Sequence, residues 1–197
     1  MLVAIAIFPL PGDHDTDRPL ASWPYNMLTL QNHIDQAAPS LNLPTGFDDV
    51  NPSALLMAIA MVESSGGKFM NASRSEPHLR KAVRKVHPEE FSKWGDSLCA
   101  SHGAFQILGV TALELGMEMP PERLREPEIA VAWAIRYINS KIRQRRHAFI
   151  GRMKTTEQKV KAIGDLYNSG RADDENRPVL YMETVWGWYK KLQGIRT

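Results

Sequence analysis

Glu63 is the side chain of this sequence best placed to do chemistry, because an acid stands on a stripe that is otherwise apolar. Asn51 is a good N-cap, Pro52 suits the first helical position, and Gly66-Gly67 stop the run. Leu56, Ile59 and Ala60 lead along one face of that helix to Glu63. A carboxyl group on such a face is partly desolvated, which raises its pKa. A carboxylic acid still protonated near neutral pH can serve as a general acid. A small rotation of the helix would instead turn Glu63 to water, or to one of the 24 lysines and arginines, as for most helical glutamates.

Two later segments carry groups that could work with such an acid. In Ser101-His102-Gly103-Ala104-Phe105-Gln106-Ile107, the glycine fits close backbone approach or positive φ. Gln106 offers a donor and an acceptor, either to a polar ligand or to the backbone of its own loop. In Leu166-Tyr167-Asn168-Ser169-Gly170, Tyr167 alone reads as core beside Val160, and Asn168 alone as a helix C-cap. Ser64 either hydrogen-bonds its acidic neighbour or is an ordinary helix-end serine. Glu76, in Arg74-Ser75-Glu76-Pro77-His78, reads by itself as a solvated acid at a helix start, favoured by the dipole. The sequence does not place Asp96 or Asp165. Cys99, the only cysteine, reads as a small half-buried residue, and nothing beyond nearby His102 supports a thiol mechanism. It allows no internal disulfide and no multi-cysteine metal site, and no metal or cofactor is expected.

Taken in order, Glu63-Ser64, Ser101-x-Gly103-x-x-Gln106-Ile107 and Tyr167-Asn168 resemble the soluble lytic transglycosylase and goose-type lysozyme family. The resemblance runs over about residues 50 to 192, and it is the ordered set that carries it. It implies a mostly helical, lysozyme-like fold and a peptidoglycan-cleaving activity on the β-1,4 bond between N-acetylmuramic acid and N-acetylglucosamine. It implies Glu63 as acid and then base, with Ser64, Ser101, Gly103, Gln106, Tyr167 and Asn168 around the glycan strand. The substrate's N-acetyl oxygen would stand in for a second carboxylate, and its 6-hydroxyl would close a 1,6-anhydro ring. Goose-type members carry an acid near the position of Glu76, which would instead activate water for hydrolysis with inversion. Ala104-Phe105, Gly164-Asp165 and Ser169 depart from the usual residues of these motifs but remove no chemical group.

The elements that must position these groups read as helices. Residues 25 to 38 form a first helix with Met27, Leu30, His33 or Ile34, and Ala37 on one side. Residues 1–47 read as an N-terminal arm and first helix, and 48–197 as the main domain. Lys68 to Ser75 is expected to be irregular, and Glu76 to Val86 helical with Pro77 at its start. Gly103 to Gly116 reads as a turn and one or two short helices. The longest helix runs from Pro127 to about His147, with Ala130, Trp133, Ala134, Tyr137, Ile138 and Ile142 on its apolar stripe. Thr155-x-x-Gln158 is a capping box for the helix ending near Asn168. A last helix follows Pro178 with Tyr181, Val185, Trp188, Tyr189 and Leu192 facing inward. The expectation is a mostly α protein with hardly any strand.

Composition bounds the class. With 43% hydrophobic residues the 197-residue chain is too apolar for a disordered one. A net charge of +2 excludes a strong nucleic-acid signature and suits an anionic wall polymer. The one basic cluster, Arg143 to His147, fits the negative end of a helix dipole. Met1 to Phe8 has no leading base and meets Pro9 and Pro11, so it reads as a strand or packed arm rather than a signal peptide. No stretch reaches the ~18 apolar residues of a membrane span. A monomer is expected, reaching the wall through phage lysis or virion partners.

Overall fold

Helix α2 (Pro52–Glu63) is the axis around which the other elements pack, and every residue from Ala54 to Glu63 is buried. The computed structural model describes residues 25–145, 152–169 and 179–194. The expected arm over residues 1–24, the end of the basic cluster at 146–147 and Gly170 lie outside the described residues. Asn51 caps α2 by accepting from the Ala54 amide at 3.1 Å, and Pro52 occupies its first turn. Each buried leucine, isoleucine or methionine of α2 contributes about 1.5–3 kcal/mol through apolar burial.

The protein is mostly helical. Helix α1 (Tyr25–Ala37) and a 3-10 turn, Ala38–Ser40, precede α2. After it come the short helices α3 (Arg80–Val86), α4 (Pro88–Trp94) and α5 (Gly109–Glu114). Three longer helices follow: α6 (Pro127–Gln144), α7 (Thr156–Ser169) and α8 (Val179–Leu192). Helix α2 packs chiefly on α8, α8 on α7, and α1 on α6. Gly164 allows the close approach of α7 to α8, since a Cβ there would stand 3.2 Å from the Val185 side chain. The capping box of α7 is reciprocal: Gln158 N–H donates to the Thr155 hydroxyl at 3.2 Å, and Thr155 N–H donates to the Gln158 side chain at 3.3 Å. Among the described residues, no helix is long and apolar enough to cross a membrane.

Two expectations need correction. Residues 73–75 are not irregular but form β1 (Ser73–Ser75), which pairs antiparallel with β2 (Ala100–His102), itself paired with β3 (Ile107–Leu108). Strands of two and three residues are too short to show an alternating pattern, so only pairing across the chain defines them. Residues 77–79 form a 3-10 turn before α3, rather than the start of one continuous helix. In the main core, Met27, Leu30 and Ile34 of α1 belong to the same cluster as residues of α2, α6, α7 and α8. A second, smaller cluster of Leu79, Val83, Leu98, Cys99, Leu108 and Val110 lies beneath the sheet and the short helices.

Candidate active site

Helix α2 ends in a Schellman turn that fixes its last residue, Glu63. Gly66 N–H reaches back to the Met61 carbonyl at 2.7 Å, and Ser65 N–H to that of Val62 at 3.2 Å. Ser65, rather than a glycine, takes the left-handed position with φ 52°. The Glu63 side chain then enters a cleft between the sheet and helices α2, α5, α6 and α7. Ser101, Gln106, Ile107, Leu108 and Thr111 form one side, and Tyr137, Tyr167 and Asn168 the other.

Glu63 is only 7% exposed, so it faces the protein and not bulk water. Burial pushes its carboxyl up to about 7, while a hydrogen bond from Tyr181 and the nearby Arg74 guanidinium oppose the rise. The Tyr181 hydroxyl donates to Glu63 Oε1 at 2.7 Å. Tyr137, Tyr167 and Tyr181 are themselves raised above the ordinary phenol value, first by burial and then by the charge of Glu63. They remain neutral donors around an acid that titrates near neutrality.

The two sides of the cleft are tied together by tyrosines. Tyr167 donates its hydroxyl to the Phe105 carbonyl, which fastens α7 to the turn between β2 and β3. Tyr137 donates to the Tyr167 carbonyl at 3.3 Å, and the two rings meet edge to face with centroids 5.3 Å apart. Tyr167 thus presents its ring to the cleft and spends its hydroxyl on the fold.

Of the residues expected at the site, Glu63, Ser101, Gln106, Tyr167 and Asn168 line one cleft. Gln106 holds φ 46° and donates its amide to the Gly103 carbonyl at 2.8 Å, so that end of the side chain ties the turn. Gly103 supports the site from behind: its φ is +71°, and a Cβ would lie 1.9 Å from the Leu124 carbonyl oxygen. Ser64 does not line the cleft. It is fully buried, donating to the Ala60 carbonyl at 2.6 Å and accepting from Gly67 N–H at 3.0 Å, so its hydroxyl closes the helix.

Glu76 is also absent from the cleft lining. Arg74 Nε donates to its Oε1 at 2.7 Å, and the side chain is largely enclosed rather than solvated. Asp96 is exposed and pairs with Arg80 at 3.1 Å. Asp165 is buried on α7 and accepts from the Ser169 hydroxyl at 3.1 Å. Cys99 is buried in the smaller cluster, and burial raises its thiol pKa, against a thiolate role. His102 points away from the cleft. Its Nδ1 accepts from the Ser73 hydroxyl at 2.7 Å, its Nε2 donates to the Ser97 carbonyl at 2.9 Å, and burial lowers its pKa. Among the described residues there is no group of three metal-ligating side chains.

Sequence reasoning missed Tyr181 and Tyr137 as site residues and placed them only on apolar helix faces. A tyrosine on such a face needs a partner for its hydroxyl, which is the one available signal, but the partner of Tyr181 lies 118 residues away. Comparison with known proteins adds no relative: no family model matches the chain, and neither does any curated protein or solved structure.

Proposed function

We propose that this protein is a peptidoglycan-cleaving enzyme of the lytic transglycosylase type, with a lysozyme-like helical fold and Glu63 as acid and then base. The observation that carries the reading is a buried carboxyl group with a pKa near 7 that opens into a polar cleft. Glu63 is the only acid among the described residues lining that cleft.

In this chemistry the Glu63 carboxyl protonates the glycosidic oxygen as the bond from the muramic C1 breaks. The N-acetyl carbonyl oxygen of the same sugar attacks C1, so no second protein carboxylate is needed. The Glu63 carboxylate then takes the proton of the 6-hydroxyl, whose oxygen closes the anhydro ring and releases the N-acetyl group. Tyr181 orients the carboxyl group in both steps. Gln106, Ser101 and Asn168 supply polar contacts to the strand. Hydrolysis would require a second carboxylate holding water across a gap of roughly 6.5–9.5 Å. Glu76 is the acid that sequence suggests for it, and its ion pair with Arg74 argues against that duty.

Mass spectrometry of muropeptides after digestion tests the reading. Products one water lighter than hydrolysis products are expected. Reducing-end products, together with a large loss of activity in Glu76→Gln, would replace transglycosylation by hydrolysis. A protein that binds murein without clearing it in a zymogram would be a wall-binding or virion module instead.

A further inference from the structure

Beside the cleft, Arg74 on strand β1 and Glu76 just after it form a charged pair that the proposed chemistry does not use. Arg74 stands opposite Ser101 in the antiparallel register, and directly opposed residues project from the same face of a sheet. Ser101 lines the cleft, so Arg74 leaves the sheet on the cleft side. Its neighbour Ser73 leaves on the other side, where it contacts His102 and accepts from Arg125 Nε at 2.9 Å.

The Arg74 guanidinium is gripped in place. Its Nε and Nη2 both donate to Glu76 Oε1, two residues along the same face. Glu76 is anchored in turn, because its backbone N–H donates to the Cys99 carbonyl at 2.7 Å. Side-chain exposures of 29% for Arg74 and 12% for Glu76 leave the pair poorly screened by water. His78 Nδ1 stands 3.8 Å from the other Glu76 oxygen, at the exposed edge.

We propose that the Arg74–Glu76 pair is the electrostatic control on Glu63: Arg74 sets a cation beside the acid, and Glu76 fixes that cation and offsets part of its charge. Its catalytic meaning rests on reading Glu63 as the proton donor. Glu63 accepts from Tyr181 of α8 and shares the cleft lining with Tyr137 of α6 and Tyr167 of α7, while Arg74 acts on its charge from the cleft side of β1. The three phenols are neutral where Glu63 titrates, so among the described residues the permanent charge acting on the acid comes from Arg74. The field of that cation favours the carboxylate, against the burial that favours the acid. Both residues are positioning residues, since neither is placed against the reacting atoms.

Carboxyl NMR titration of Glu63 in the full chain tests the inference without reference to activity. Arg74→Met removes the cation, and the Glu63 pKa should rise by roughly 0.5–1 unit. Glu76→Gln removes a carboxylate that offsets the cation, and the Glu63 pKa should fall. Arg74→Lys keeps the charge and should titrate near the wild type, and the double variant should titrate nearer Arg74→Met than Glu76→Gln. In an active enzyme the basic limb of the pH–kcat/KM profile moves in the same directions. Shifts of equal sign in Arg74→Met and Glu76→Gln, or no shift in either, would overturn the proposal. If Arg74→Met fails to fold, the sign of the shift in Glu76→Gln decides alone. Opposite shifts in a protein that does not cut murein would leave this electrostatic control standing and refute the enzymatic reading.

Discussion

A carboxyl group that is easier to protonate in the folded protein than in the unfolded chain costs stability wherever it is charged, and Glu63 is such a group. Its folded pKa, about 7, lies above the ordinary 4.5, so the native state holds the proton more tightly. Stability linked to Glu63 is therefore complete below about pH 4.5 and is lost as pH rises through 7. Replacing it by Gln keeps the shape and the acceptor for Tyr181 but removes the proton. Glu63→Gln should lose wall-cleaving activity by roughly 10²–10⁴-fold or more. The same variant should be more stable than the wild type at pH 8 by on the order of 3 kcal/mol, with no advantage at pH 4. Urea unfolding at the two pH values checks the sign; equal stability at pH 8 would mean that Glu63 is solvated. Tyr181→Phe removes a hydrogen bond that favours the carboxylate. Glu63 should then stay protonated to higher pH, moving the basic limb of the activity profile upward. A downward move would show that Tyr181 does not stabilise the charged form.

Among the elements, the hairpin formed by β2, its turn and β3 does most to shape the cleft. It contributes Ser101, Gln106, Ile107 and Leu108, and it is held by Tyr167 from α7. Its docking depends on Gly103, which packs against the backbone of the 3-10 turn Pro121–Arg125. A methyl group there meets a carbonyl oxygen, and a backbone atom cannot swing aside as a side-chain tip can. Gly103→Ala should destabilise the fold by on the order of 3 kcal/mol, from overpacking and positive φ together. Activity should fall as well, because Gln106 is tied to the Gly103 carbonyl. Denaturation with a parallel murein assay measures both, and a variant unchanged in each would mean that the turn docks differently.

Across the whole molecule, one main core joins α1 to the helices that build the site. Leu30 and Ile34 on α1 are buried with Leu55, Ile59 and Val185. Unfolding should therefore be a single cooperative transition, coincident by tryptophan fluorescence and circular dichroism. Leu30→Ala should lower its free energy by about 2–5 kcal/mol. A separate early transition that alone responds to Leu30→Ala would show that α1 unfolds apart from the other helices.

The sequence determined whatever is decided within a few turns of chain. Asn51 and Pro52 start α2, Thr155 and Gln158 start α7, and the apolar stripes set the course of α6 and α8, because caps and periodicity are local. The apolar stripe that leads to Glu63 is local in the same way, but it left open whether the acid turns inward or to water. Only tertiary structure decided which hydroxyls and charges meet that acid. Ser64, adjacent to it in sequence, turns inward to close the helix, while Tyr181 arrives from another helix to hold it. The short strands and the Arg74–Glu76 pair exist as a site feature only once β1 pairs with β2. Sequence patterns record how much of a residue is buried; its partner is fixed by the packing of elements distant along the chain.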